Sequence, residues 1–164
     1  MRLEDEVVAL RPLADSDVPA IVAACQDPEI PRWTRVPAPY TEEDARAFLR
    51  DSAGVSAVVD PRSDEFLGTI GWRWVGENVE IGYWVKRQAR GRGVAARALA
   101  LLSRWAFAEL GAARLQLLTE PENRASQRVA EKAGFRREAL LRSYMELKGS
   151  RRDVYMYALL REDL

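Results

Sequence analysis

One stretch just past mid-chain constrains this sequence most: VEIGYWVKRQARGRGVAARALALL, running from Val79 to Leu102. It begins as a strand, with apolar side chains alternating at Val79, Ile81, Tyr83 and Val85. It ends as a helix with Val94, Ala98, Leu101, Leu102 and Trp105 on one face and Gly111 as its stop. Between the two, Gln88-Ala-Arg-Gly-Arg-Gly93 sets two glycines among arginines. On the residues alone, three readings of that loop compete: a phosphate cradle, a nucleic-acid patch and a solvated connection. The cradle has the strongest physical case. Glycine lets an anion approach the backbone closely. Exposed N–H groups and the helix dipole favour negative charge at that point, and arginine bonds phosphate oxygens directly.

Charge weighs against the nucleic-acid reading. Lys plus Arg and Asp plus Glu both number 25, giving a formal net charge of zero, whereas general nucleic-acid binders are clearly basic. The chain has no histidine. Serine–histidine hydrolysis and histidine general-base chemistry are thereby excluded, and a catalytic zinc site loses its commonest ligand. No metal is expected, and proton transfer falls to Glu, Asp, Tyr, Ser, Lys, Cys25, a terminus or water. Cys25 is the single cysteine, so no internal disulfide forms; it shares the Val18, Ile21, Val22 face of a helix and reads as buried packing. The acidic start MRLEDEVVAL is unlike a secretory signal, and no apolar run reaches the ~20 residues of a membrane span. A cytoplasmic protein with no membrane partner is expected. Its 164 residues, 48% hydrophobic, suit one domain over 1–164 with a substantial core.

Along the chain, Val7 to Leu13 reads as a first strand, and Asp15 or Ser16 as the cap of the helix bearing Cys25. Asp27 to Thr41, with four prolines, Trp33 and Tyr40, reads as a long binding loop. Thr41 and Asp44 form a capping-box-like start to a second helix. Val55–Asp60, Glu65–Val75 and Val79–Lys86 read as an antiparallel meander leading to the glycine loop. Arg114–Thr119 is a fifth, nearly continuous apolar strand, as buried parallel strands are. Asn123 caps a helix closed by Gly134, and Glu138–Leu147 and Arg152–Leu160 form a hairpin about Lys148-Gly-Ser150. The fold class is therefore α/β, more strictly mixed α+β: one central mixed sheet of six to seven strands with helices on both faces.

The fourth and fifth strands are joined through a helix, which makes them parallel neighbours in a right-handed crossover. Ligands of open α/β sheets sit at the carboxyl ends of such strands, where this loop lies. Gly91-x-Gly93-x-x-Ala96 also fits a relaxed dinucleotide fingerprint, but that pattern wants a tight turn after a first strand, and here a basic insert follows the fourth. Gln88-x-x-Gly91-x-Gly93, then helix, strand, Asn123-Arg-Ala-Ser126 and Lys132-Ala-Gly134-Phe135, resembles the GNAT superfamily of acyl-coenzyme A-dependent N-acetyltransferases. In detail, LRPL near the start, EIGYWV before the loop and the closing GFRRE and RDVYMYALL are similar to the RimJ/RimL branch, which acetylates ribosomal-protein N-termini.

The resemblance implies a GNAT fold with a V-shaped splay between the fourth and fifth strands, and acetyl-CoA as the acyl donor. The backbone of Tyr83, Trp84 and Val85 would pair with the pantetheine arm, and an N–H there would hold the oxyanion. Gln88, Arg90, Gly91, Arg92, Gly93, Val94 and Ala95 would form the pyrophosphate loop. Asn123 and Ser126 would contact coenzyme A, Ser126 in the place of the serine proposed to protonate the leaving thiolate; Asn123 also reads as a helix N-cap. An ammonium is no nucleophile, so a base is needed. Glu80 is the first candidate, because alternation sets it with Gly82 and Trp84; Glu138 and Tyr144 follow, and Tyr144 is the alternative acid. Trp33, Tyr40, Trp72 and Trp74 are candidates to line the acceptor cleft, and Asp153 to contact the amine. Ala139 stands where relatives often carry glycine. Three functions follow: acetyl transfer to a protein N-terminal amine, acylation of a small amine or from a larger acyl-CoA, and non-catalytic coenzyme A binding. A homodimer is left open.

Overall fold

The computed structural model describes residues 1–164. Its strands are β1 (Leu3–Glu4), β2 (Ala9–Pro12), β3 (Val55–Val59), β4 (Phe66–Val75), β5 (Asn78–Val85), β6 (Arg114–Thr119), β7 (Arg136–Leu147) and β8 (Ser150–Leu160). The helices are α1 (Val18–Ala24), α2 (Glu29–Trp33), α3 (Glu42–Arg50), α4 (Val94–Glu109) and α5 (Arg124–Lys132). All eight strands belong to one sheet in the order β1-β2-β3-β4-β5-β6-β8-β7. The short β1 adds one strand to the expected number, so the predicted fourth and fifth strands are β5 and β6. They are the sheet's only parallel pair, and they pair at Val79 with Leu115 and Glu80 with Gln116 and no further. Past those residues β5 stays bonded to β4 as far as Val85, and β6 to β8 as far as Thr119. The sheet is thus split, with an open wedge between Ile81–Val85 and Leu117–Thr119.

Alternation along the strands separates two cores. On one face Val8, Leu10, Val58, Val79, Ile81, Leu115 and Leu117 pack under α4 and α5. On the other, Ala9, Ala57, Val59 and Phe66 pack under Val18, Ile21 and Cys25 of the α1 region and Ala45 of α3. In α4 the buried face centres on Ala98, Leu99, Leu102 and Ala106, while Leu101 and Trp105 sit at its margin. The buried face is thus rotated from the predicted stripe. Cys25 is buried, and loss of solvent pushes its thiol up to about 12, which leaves it inert.

Local signals hold at most helix ends and turns. Thr41 accepts the Asp44 amide while Asp44 accepts the Thr41 amide. Asn123 Oδ1 accepts the Ser126 amide at 3.2 Å. Lys148 and Gly149, both at positive φ, make the primed turn of the β7–β8 hairpin. Two local expectations are corrected. The predicted loop after Asp27 contains α2, because Ile30 finds a buried site and Pro31 is tolerated in a first turn. The first helix starts later than Asp15 or Ser16 predicts: Asp15–Asp17 form a 3-10 turn, and α1 carries no side-chain cap. Asp17 instead pairs with Arg11 through both carboxylate oxygens, each at 2.9 Å, and accepts the Ala14 amide.

Gly68 fixes how closely β4 approaches the end of β5. A Cβ there would stand 2.3 Å from the Trp84 carbonyl oxygen and 2.8 Å from Val85 Cα. Both are backbone atoms with little freedom to move. Gly68→Ala is expected to cost about 1–3 kcal/mol as overpacking and to displace the strand end that faces the wedge. Chemical denaturation together with acetyl-CoA calorimetry checks this. Burial raises the Asp17 carboxyl, but the Arg11 guanidinium and the Ala14 amide outweigh it and hold it below the usual range. Its contribution to stability is therefore complete above about pH 4, where an unfolded aspartate ionises, and is lost as pH falls through the lowered folded value. Asp17→Ala should cost about 1.5–3 kcal/mol at neutral pH, since Arg11 loses both bonds to a buried carboxylate and keeps only the exposed Asp64, and should flatten the acid limb of a stability-versus-pH curve.

Candidate active site

The site begins at the start of α4. No side chain caps α4, no acid lies in its first turn, and its N-cap Gly93 sits at φ 75°. The first amide of the segment with a protein acceptor is that of Arg97, which donates to the Gly93 carbonyl at 3.0 Å. The amides from Gly91 to Ala96 have none. By contrast, α3 carries a capping box with three acids in its first turn, and α5 carries Asn123. Gly91, at φ 74°, and Gly93 both need the left-handed region, and a Cβ on either would meet no atom within 4 Å. The space above them is therefore an open cradle of unpaired donors, which suits an anion.

Two cavities flank the wedge. The smaller, about 320 Å³, is lined by Val85, Arg90, Gly91, Gly93, Val94, Ala95, Asn123 and Ser126 of the predicted set, with Arg128 and Lys132 of α5 added. The larger, about 1090 Å³, is lined by Trp33, Tyr40, Trp72, Glu80 and Tyr144 of the predicted set. Its charged walls balance, with Arg35, Arg73 and Lys148 against Asp44, Glu80 and Glu146. Tyr83, Trp84, Trp33 and Thr34 line both cavities, so the two meet at the open end of β5 and along the side of α2.

Several predicted residues stand elsewhere or are otherwise engaged. Gln88, in a short turn over Arg87–Ala89, and Arg92 are exposed and line neither cavity. The Arg90 guanidinium folds back, donating to the Val85 carbonyl at 3.1 and 3.2 Å and pairing with Asp27 at 2.7 Å. It braces the strand end and leaves the cradle to the amides. Trp74 is 48% exposed and outside both cavities, as is Asp153, whose Oδ1 accepts the Ser143 amide at 2.7 Å across an irregularity in β7. Glu138 pairs with Arg114 at 2.7 Å, away from the wedge. Ala139, the departure from glycine, is exposed and also lies outside the cavity walls.

Glu80 is largely buried at the closed corner of the wedge. Its Oε1 accepts from Arg73 at 2.6 and 3.1 Å, and its Oε2 faces the buried Gln116 amide at 3.5 Å. Ser126 lies across the wedge on α5, where its Oγ is 3.1 Å from the Tyr83 hydroxyl. Tyr144 is 48% exposed and belongs to the larger cavity alone. Sequence reasoning missed Arg73, Gln116 and the Tyr83 hydroxyl. Only Arg73 left a signal: it faces Glu80 directly across the β4–β5 hairpin.

The acetyltransferase (GNAT) domain pattern matches residues 8–136. The chain belongs to the GNAT acetyltransferase family. Among its relatives, the uncharacterized N-acetyltransferase p20 of Bacillus licheniformis is 30% identical, the match covering 98% of this chain and 97% of that one. A GNAT-family acetyltransferase structure from Bacillus anthracis superposes with a TM-score of 0.91 at 27% identity, covering 99% of both chains. Mycobacterium smegmatis RimJ, solved in complex with CoA-disulfide, shares the fold with a TM-score of 0.82 at 24% identity, covering 100% of this chain and 88% of that one. The protein is a GNAT N-acetyltransferase, and the GNAT fold implies that it binds acetyl-CoA. The residues present fit that donor. The open amides of α4 suit its diphosphate, and Arg128 and Lys132, which have no acidic partner in the chain, add positive charge to the same cavity.

Gly93→Ala should introduce about 1–2 kcal/mol of left-handed strain and put a methyl group into the cradle. Acetyl-CoA affinity by calorimetry is expected to fall at least tenfold, with the circular dichroism spectrum retained.

Proposed function

We propose that this acetyltransferase moves the acetyl group of acetyl-CoA directly onto a primary amine, and that the amine is a protein N-terminal α-amino group. The observation that carries this reading is the meeting of the two cavities at Tyr83 and Trp84 beside the open β5 edge. The donor occupies the smaller cavity and the acceptor enters from the larger one. Its volume of about 1090 Å³ and its balanced charges suit an extended peptide. An enclosed acidic pocket, as a polyamine or aminoglycoside would want, is a poorer description of it. The resemblance to the RimJ/RimL branch and the fold shared with RimJ support the same acceptor.

In this mechanism Glu80 takes a proton from the incoming ammonium, and Arg73 holds its carboxylate in place. The free amine attacks the thioester carbonyl carbon, and a C–N bond forms. A main-chain N–H within Tyr83–Val85 stabilises the oxyanion. The nitrogen, cationic after attack, gives up its second proton to water in the open cavity, the C–S bond breaks, and the thiolate takes a proton from Ser126, which borders the donor cavity; Tyr144 stands on the acceptor side only.

Thiol release with acetyl-CoA, measured across peptide N-termini, polyamines and aminoglycosides, tests the reading. Turnover is expected with peptides beginning in alanine or serine, and Glu80→Gln should lower kcat by about 10²–10⁴-fold. Turnover of small amines alone would replace the acceptor class. Tight donor binding with no turnover of any acceptor would favour a coenzyme A-binding module.

A further inference from the structure

The family resemblance implies a role for the Tyr83 backbone, yet its side chain is the more distinctive feature. The ring leaves β5 on the α4–α5 face and crosses the mouth of the wedge. Its hydroxyl meets α5 at 3.1 Å from Ser126 Oγ and 3.3 Å from the Ser126 carbonyl oxygen. It is one of four residues common to both cavity walls, and the only one of them hydrogen-bonded to Ser126. Burial pushes the phenol up to about 12, against the smaller opposing effect of Ser126, so it stays protonated at neutral pH. The phenol's one proton has two acceptors within reach, the Ser126 carbonyl at 3.3 Å and Ser126 Oγ at 3.1 Å, and in the shorter contact the phenol can donate to Oγ. That leaves the serine's own proton free to point into the donor cavity, and chains of this kind strengthen each donor in turn.

We infer that Tyr83 is a positioning residue for Ser126: its hydroxyl donates to Ser126 Oγ and aims the serine O–H at the sulfur that leaves coenzyme A. As the C–S bond breaks, the electron pair goes to sulfur and the Ser126 proton follows it. The serine oxygen recovers a proton from solvent through the open cavity, while Tyr83 keeps its own. The inference rests on the acetyl-transfer reading above, and it separates Ser126, which lines the smaller cavity, from Tyr144, which lines only the larger.

The test compares Tyr83→Phe, Ser126→Ala and the double variant, using an alanine-initiated peptide and acetyl-CoA. Tyr83→Phe keeps the ring and removes only the oxygen. kcat is expected to fall about tenfold or more, while acetyl-CoA affinity by calorimetry changes less than twofold. The double variant should be no slower than Ser126→Ala, because the phenol acts only through the serine. Unchanged turnover in Tyr83→Phe, or losses that multiply in the double variant, would overturn the inference. So would a loss confined to acetyl-CoA binding. A second measurement needs no acceptor: binding of free CoA from pH 7 to 10. In the wild type the pair favours the thiolate, so affinity should rise from a lower pH than in either single variant; superimposable profiles would refute the pairing. Wild-type protein that binds no acetyl-CoA would defeat the acetyl-transfer reading itself, whereas normal binding and turnover in Tyr83→Phe would defeat this inference alone.

Discussion

The two halves of the sheet are joined by parallel pairing at Val79–Leu115 and Glu80–Gln116 and nowhere beyond. Each strand is then held on its far side, β5 by β4 and β6 by β8, so neither can close the gap. This leaves an open strand edge inside a folded domain, which most proteins avoid because unpaired N–H and C=O groups invite foreign strands. Here the edge is sheltered. α2 and the β7–β8 hairpin stand over one mouth of the wedge, and α4 and α5 over the other. Only a ligand narrow enough to thread these elements can use it.

The supporting contacts converge on the same place. Gly68 lets β4 lie close under the end of β5. Arg90 ties the Val85 carbonyl to Asp27, and Lys148 at the hairpin tip donates to the Pro31 and Val36 carbonyls on either side of the end of α2. α2 is thus braced towards the glycine loop at one end and towards the acceptor-side hairpin at the other. A single turn of helix, marginal alone, becomes a wall shared by both cavities.

Charge follows the same division. The smaller cavity offers unpaired amides, Arg128 and Lys132, with Glu29 as the one acid in its lining. The larger cavity balances its charges and keeps its one deeply placed carboxylate, Glu80, at the closed corner of the wedge. The open amides and positive charge thus lie at one mouth of the gap, and the deep carboxylate at its closed corner.

What the sequence determined by itself was local. The strand–loop–helix order, the φ demands of Gly91 and Gly93, the Thr41 and Asn123 caps and the Lys148-Gly149 turn could all be read directly, because each depends on residues a few positions apart. The family resemblance added the splay. Tertiary structure alone decided which side chains meet. Arg90 turns to Asp27 rather than into the cradle, Asp153 supports Ser143, and Tyr83 reaches Ser126. α2 formed in a proline-rich stretch because Ile30 had a core to enter. Such outcomes depend on distant segments approaching through space, and periodicity along a chain carries no record of that approach.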